Sequence, residues 1–352
     1  MYLDHAATTP MLASAEAAVR AGMAHWANPS SPHAEGRAAK AALEQARRAV
    51  AAAYGWPGET LFTSGASESL AIAMQRATAP RRIITAVEHD AVMRWAGPET
   101  VVLPVGRDGI VSINALAEAL AGDRALLTVQ WANSETGVRQ PIAAIAEAVH
   151  AAGSLLLVDA AQMPVGADAE VAAHADFVAL SAHKRGGPPG VGALLVRDLA
   201  ALSPTGGQER GYRPGTENLP GVLGYAAALA EPEPDHAVLR ALLDDAITRS
   251  GGEIIAAGAP RHAAIGAYRM PGVASFVQLI DFDAAGFAVS AGSACASGSM
   301  KPSHVLGAIG LSDTAKREVV RASFGRSTSE DDVRAFIAAW RSVARSKQRF
   351  VA

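Results

Sequence analysis

The sequence predicts an α/β protein, with a mostly parallel sheet covered by helices on both faces and a smaller α+β unit after it. Three observations carry that reading. Strand-like and helix-like stretches alternate from about residue 12 to residue 200. The strand-like stretches are short continuous apolar runs, as strands buried on both faces require. A proline-containing stretch, "AEPEPDH" at 230–236, then reads as a linker into a segment of different pattern.

Each element has a local reason. "AEGRAAKAALEQARRAVAAAYG" (34–55) is rich in helix formers and closes on Gly55, a common helix stop. "TLFTS" (60–64), "RRIITAV" (81–87), "TVVLPV" (100–105), "RALLTVQ" (124–130), "GSLLLVDA" (153–160), "ADFVALS" (175–181) and "GVGALLVR" (190–197) read as buried strands. Between them "INALAEALAG" (113–122) and "PIAAIAEAVHAAG" (141–153) read as helices, with Pro141 in the first turn, where proline is tolerated. After the linker, "AVLRALLDDAITRSGG" (237–252) reads as a helix and "ASFVQLID" (274–281) as a strand.

Composition narrows the function. The chain has 352 residues, enough for two domains, and half of them are hydrophobic. A net charge of −3 gives no bulk attraction to nucleic acid or membrane surfaces. The single cysteine, Cys295, excludes an internal disulfide and an all-cysteine metal site. "MYLDHAATTP" lacks the layout of a signal peptide, and no apolar run is long enough to span a bilayer, so a soluble cytoplasmic protein is expected.

In open α/β sheets ligands bind beyond the carboxyl ends of the strands, so the polar residues that follow each strand carry the chemistry. "TSGASES" after one strand reads either as a capping turn, with Ser64 or Ser67 as N-cap, or as an anion cradle at a helix N-terminus. Asp159 ends "LLLVDA"; it reads as a backbone-bonded turn residue or as an anchor for a cation, and no ligand spacing supports a metal there. "LSAHK" places His183 and Lys184 at another strand end, where a lysine is either solvated or able to carry a Schiff base. Schiff-base lysine, carboxylate anchor and phosphate cradle on separate loops together are what pyridoxal phosphate requires. Cys295 sits in "SAGSACASGSMKP" (290–302), among small polar residues rather than in an apolar run.

The whole set of motifs resembles the cysteine desulfurases, the NifS/IscS-like branch of the class V aminotransferase-like pyridoxal phosphate enzymes. "YLDHAATTP", "NPSSPHAEGRAA", "FTSGASES", "EHDAV", "NSETGVRQP", "DAAQ", "SAHK", "GGQERGYRPGTEN", "SAGSACASG", "SHVLGAIG" and "RASFGRSTSEDDV" occur in the family's order. The resemblance implies a type I pyridoxal-phosphate transferase fold, with a seven-stranded sheet in a large domain (13–230) and a small domain (1–12 plus 231–352) that carries the cysteine loop. It implies conversion of L-cysteine to L-alanine, with the sulfur taken as a persulfide on Cys295 and passed to a protein acceptor, as in iron–sulfur cluster biogenesis. Lys184 would hold the cofactor and move protons at the substrate Cα; Asp159 would pair with the ring nitrogen, Gln162 with the phenolic oxygen, and His89 would stack on the ring. Ser67, Ser181, His183 and the Ala66 amide would hold the phosphate, and Thr216 would reach the phosphate of the other subunit of a homodimer. Arg321, with Asn133 and Ser134 beside it, would bind the substrate carboxylate. Two departures stand out: Ser134 replaces an Asn that is usual in the branch, and Pro189 replaces a frequent Lys. Related readings are a selenocysteine lyase, an aminotransferase (which the "GSAC" loop argues against) and a non-catalytic scaffold, which the joint retention of Lys184, Asp159, His89, Cys295 and Arg321 argues against.

Overall fold

The computed structural model describes residues 1–292 and 303–348. Seven strands form the larger sheet: β1 (Glu59–Thr63), β2 (Arg81–Thr85), β3 (Val101–Leu103), β4 (Ala125–Gln130), β5 (Leu155–Asp159), β6 (Phe177–Ser181) and β7 (Gly192–Val196). Their spatial order is β1-β7-β6-β5-β4-β2-β3. The strands from β3 across to β6 pair in parallel, and β7 runs antiparallel to both its neighbours. Each parallel step is made through a helical crossover, for example Ile142–Ala151 between β4 and β5. The step from β6 to β7 needs none, because an antiparallel neighbour can be reached by a short return. That return holds the 3-10 turn Ala182–Lys184 directly at the sheet edge.

Both faces of the sheet are buried. Ile83, Leu127, Leu156 and Val178 point into a core shared with Leu43 and Val50 of the helix Ala34–Ala53. Their neighbours Ile84, Leu126, Leu157 and Phe177 point the other way, onto Leu70 and Met74 of the helix Ala66–Arg76. The unbroken apolar runs in the sequence therefore reflect strands with no solvent face.

A second sheet follows, with β8 (Glu253–Ile254), β9 (Ile265–Arg269) and β10 (Val319–Ser323) in the order β10-β9-β8, all antiparallel. Its core is aromatic: Phe282, Phe336 and Trp340 pack together under it. The N-terminus joins this unit, since the Leu3 amide donates to the Ala288 carbonyl (2.9 Å) and the Ser323 amide to the Leu3 carbonyl (2.7 Å).

Two local expectations are corrected. "ASFVQLID" is not a strand but part of the helix Ser275–Ala284. The buried positions are Ser275, Gln278 and Phe282, spaced three and four apart, whereas Phe276 and Ile280 are 51% and 64% exposed. The burial that decides the element thus follows a helical period that the apolar run hides, and the buried Gln278 amide ties the helix to the Val273 and Glu318 carbonyls. Pro141 caps the helix Ile142–Ala151 from just outside it rather than occupying its first turn. Among the described residues no helix is long and apolar enough to cross a membrane.

Gly192, in β7 between β1 and β6, shows how tightly this end of the sheet is built. A Cβ there would lie 2.4 Å from the Leu180 carbonyl oxygen and 2.5 Å from Gly65 Cα, both backbone atoms. Gly192→Ala is expected to lower stability by about 1–3 kcal/mol, the usual cost of overpacking, in a denaturant melt. A loss within about 0.5 kcal/mol, the range of ordinary surface substitutions, would show that this end of the sheet gives way freely.

Candidate active site

The carboxyl ends of five strands converge on one cavity of about 400 Å³. β1 runs into the turn Ser64–Gly65 and the helix Ala66–Arg76; Gly65, at φ 152°, makes the turn without a side-chain cap. The amides of Ala66 and Ser67 have no acceptor among the described residues, so they face the cavity as open donors at a helix N-terminus. β5 contributes Asp159, and Gln162 follows two residues after the turn begins. β6 contributes Ser181, followed by His183 and Lys184.

The charges in the cavity are few and deliberate in placement. Asp159 is buried; burial raises its carboxyl above the usual carboxylate range, opposed by His89, the Ala161 amide (3.0 Å) and Lys184. Lys184 Nζ donates to the Ala7 carbonyl (2.9 Å) and to the Ala6 carbonyl, which ties it to the N-terminal segment. Gln162 donates to the same Ala6 carbonyl (2.9 Å). His89 Nδ1 accepts from the Ala91 amide (3.1 Å), so the proton of a neutral ring sits on Nε2. Burial, with Lys184 and Arg185 adding to it, pulls His183 down to about 4, so this ring is neutral near physiological pH. Its Nδ1 is hydrogen-bonded with the Thr8 hydroxyl at 3.0 Å.

A smaller cavity of about 80 Å³ adjoins the first through Ala7, His89, Ser134 and Lys184, and Asn133, Glu88, Glu135, His304 and Arg321 line it. Arg321, from β10, donates to the Ser134 carbonyl (2.9 Å) and pairs with Asp4, while its buried Nε has no partner among the described residues. Asn133 is taken up by its own turn: its oxygen accepts from the Glu135 and Thr136 amides at 2.9 and 2.8 Å, and its nitrogen donates to the Val87 carbonyl at 3.1 Å. It shapes the wall more than it offers a free group.

The structure thus brings Lys184, Asp159, Gln162, His89, Ala66, Ser67, Ser181 and His183 to one cavity, and Arg321, Asn133 and Ser134 to the adjoining one. Pro189 also lines the larger cavity. Thr216 is exposed and lines neither. Cys295 lies outside the described residues. The chain before it pairs at Ser290 with Arg321 of the cavity wall, and the chain after it resumes at Ser303 and His304, whose Nε2 is 2.8 Å from the Glu88 carbonyl oxygen.

Sequence reasoning assigned no role to Asp4, the partner of Arg321, or to Glu88. Glu88 is fully buried; its Oε1 accepts from the Thr85 hydroxyl (2.6 Å) and the Gln130 backbone amide (3.2 Å), and its Oε2 has no partner among the described residues. The available signal was a charged residue directly after the apolar run "IITAV".

Comparison with known proteins agrees with this arrangement. Residues 1–336 match the aminotransferase class-V family. The chain is 38% identical to a cysteine desulfurase of Cereibacter sphaeroides, over 95% of this chain and 92% of that one. The chain belongs to the class-V aminotransferases, in their cysteine desulfurase branch. It is also 36% identical to an IscS-like cysteine desulfurase of Mycobacterium tuberculosis, over 94% of this chain and 93% of that one. Among solved structures, a NifS-like protein from Rickettsia africae superposes with a TM-score of 0.86 at 27% identity, covering 97% of this chain and 99% of that one. The structure of SspA in complex with cysteine superposes with a TM-score of 0.80 at 29% identity, covering 93% and 99%. The fold and family implied by the ordered motifs are the ones found.

Glu88 gives a test of the site's electrostatics. Burial, with Asp159 adding to it, raises its carboxyl to about 8. Between the ordinary carboxylate range and about 8 the folded chain therefore holds a proton that the unfolded chain has released. Stability falls as pH rises through that window, by on the order of 1 kcal/mol per pH unit, and levels off above it. Glu88→Gln carries no such proton, so its stability relative to wild type is expected to rise steadily from about pH 5 to about pH 8 in denaturant melts. A difference that stays constant across that range would mean that Glu88 does not hold the proton.

Proposed function

We propose that the chain is a pyridoxal-phosphate-dependent cysteine desulfurase that converts L-cysteine to L-alanine and takes the sulfur as a persulfide on Cys295. The observation that carries this reading is the convergence of a lysine amine, a buried carboxylate and an open helix N-terminus on one cavity, in a chain of the cysteine desulfurase branch. The residues fit the cofactor on three counts. The Ala66 and Ser67 amides are donors without acceptors among the described residues, suited to a phosphate. Asp159 is a buried carboxylate, and a buried charge is stable only opposite a cation such as a protonated ring nitrogen. Lys184 sits on a short return between two strands, with its amine reaching the same cavity.

Pyridoxal phosphate, when bound, supplies an electron sink for bond changes at the substrate Cα and Cβ. The chain's own residues supply the rest. Lys184 would hold the cofactor covalently and later carry a proton to and from the substrate Cα. Asp159 would stay ionised opposite the ring nitrogen, and Gln162 would hold the phenolic oxygen. His89, with its Nε2 proton, would lie over the ring and serve as acid or base. Ser67, Ser181 and neutral His183 would complete the phosphate cradle. Arg321, with Asn133 and Ser134 shaping the wall, would take the substrate carboxylate, a charge-assisted contact for which the buried Nε still lacks a partner among the described residues. The Cys295 thiolate would attack the substrate sulfur: a sulfur–sulfur bond forms, the carbon–sulfur bond breaks, and its electron pair stays with carbon, which takes up a proton. Alanine leaves, and a protein acceptor receives the persulfide sulfur in the cytoplasm.

The working unit in this reading is a homodimer. Thr216 is exposed and apart from its own subunit's cavity, as a residue donated to a second copy would be. Residues 13–230 form the cofactor-binding domain; 1–12 and 231–352 form the small domain, in keeping with the pairing of Leu3 beside β10.

Lys184→Ala is expected to purify without the yellow colour of a bound Schiff base and to release no alanine. A borohydride-reducible linkage at another lysine, with activity kept, would overturn the assignment. Cys295→Ser is expected to keep the cofactor but to lose alanine release and persulfide labelling by at least about a hundredfold, since a serine hydroxyl is not ionised near neutral pH. Alanine release at the wild-type rate from Cys295→Ser would refute the persulfide route.

A further inference from the structure

Thr216 sits in a loop, residues 205–217, that leaves its own subunit's cavity and points outward. Several contacts hold it to its own subunit, Arg76 with Thr205 and Tyr212 and Arg210 with Glu59 among them, but only one of its acidic side chains is buried. The Glu209 side chain is fully buried, although the loop around it lies at the surface. Its two oxygens accept both ends of the Arg47 guanidinium, at 2.6 and 3.1 Å. Oε2 also accepts the Phe62 amide at 2.8 Å. Arg47 itself lies over the Phe62 ring, 4.8 Å from its centroid. Phe62 is in β1, two residues before Ser64, where the turn into the helix Ala66–Arg76 begins.

The rest of the loop is built round this anchor. Glu209 and Arg210 both take left-handed backbone angles, φ 47° and 59°, which residues with a side chain hold only where their surroundings enforce it. Gln208 accepts the Gly215 amide at 2.7 Å, which closes the loop on itself one residue before Thr216. Arg213 donates to Glu68, in the first turn of the helix Ala66–Arg76, at 3.1 Å. Both attachments therefore land on the two flanks of the same turn, Ser64–Ser67.

We propose that Glu209 is a positioning residue whose buried carboxylate sets the Thr216 loop against the Ser64–Ser67 turn of its own subunit, so that each copy presents a preset loop to the cavity of a second copy. The inference rests on the reading of Thr216 given above. In the dimer, the groups holding one phosphate on the near side and the group reaching across to the other phosphate are then registered through the buried Arg47–Glu209 ion pair. A bidentate guanidinium–carboxylate contact suits this task, because it fixes direction as well as distance.

The test is the retention of pyridoxal phosphate by the holoenzyme, read as its dissociation constant in equilibrium dialysis, for Glu209→Gln, Thr216→Val and the double variant. Each single variant is expected to weaken retention by about tenfold, and the double variant by no more than about twofold beyond either, because both remove the same contact. Arg47→Lys, which keeps the charge but loses the fork, carries the same test should Glu209→Gln fail to fold. Wild-type retention in a folded Glu209→Gln or Arg47→Lys, or losses that multiply to about a hundredfold in the double variant, would overturn the positioning role and leave that of Thr216 standing. Wild-type retention in Thr216→Val would instead remove the reading of Thr216, and the inference with it.

Discussion

A carboxylate buried at the end of a strand is the constraint on which the site depends. Asp159 closes β5, a strand with every residue buried, and its own burial disfavours its charge. Only an arrangement that offers it a cation or hydrogen-bond donors is stable, and other strand ends bring Lys184 and His89 close to it while the Ala161 amide donates to it. The second buried acid, Glu88, lies near enough to add to the burden on Asp159 if it ionises. Its rise to about 8 keeps one negative charge in that region rather than two.

The same constraint explains how the two sheets are joined. Lys184 is tethered to the Ala6 and Ala7 carbonyls, and Arg321 to Asp4, so the first few residues of the chain lie between β6 of the large sheet and β10 of the small one. They are held on the small sheet by Leu3. In the proposed reading, a substrate carboxylate would meet at Arg321 a guanidinium already paired with Asp4, and therefore one whose position is set in advance rather than ordered on binding.

Local patterns made the large sheet legible. An apolar run followed by a polar turn is a signal contained in fewer than about ten residues, and the buried strands and the cavity groups at their ends all carry it. The small unit carries less of it. β9 and β10, "IGAYR" and "VVRAS", break their apolar runs with Gly266 and Arg321, and the apolar run of "ASFVQLID" conceals a helix whose buried face is Ser275, Gln278 and Phe282. Partners far apart in the chain leave no local trace at all: Asp4 and Arg321 are 317 residues apart, and Arg47 and Glu209 are 162 apart. The proposed cofactor roles rest on the motifs occurring together and in order, since a serine-rich turn or a strand-end lysine alone has a structural explanation.

The central claim is that Asp159 stabilises positive charge on a cofactor ring held by Lys184, and Asp159→Asn tests it most directly. The amide keeps the shape and the hydrogen-bonding capacity but not the charge. Absorbance of the purified variant and its alanine release from L-cysteine would be measured on one preparation. The account predicts a yellow protein, with Lys184 still linked to the cofactor, whose alanine release has fallen by roughly a hundredfold or more, the scale of losing a preorganised charge at a reacting centre. Alanine release at the wild-type rate from Asp159→Asn would contradict it.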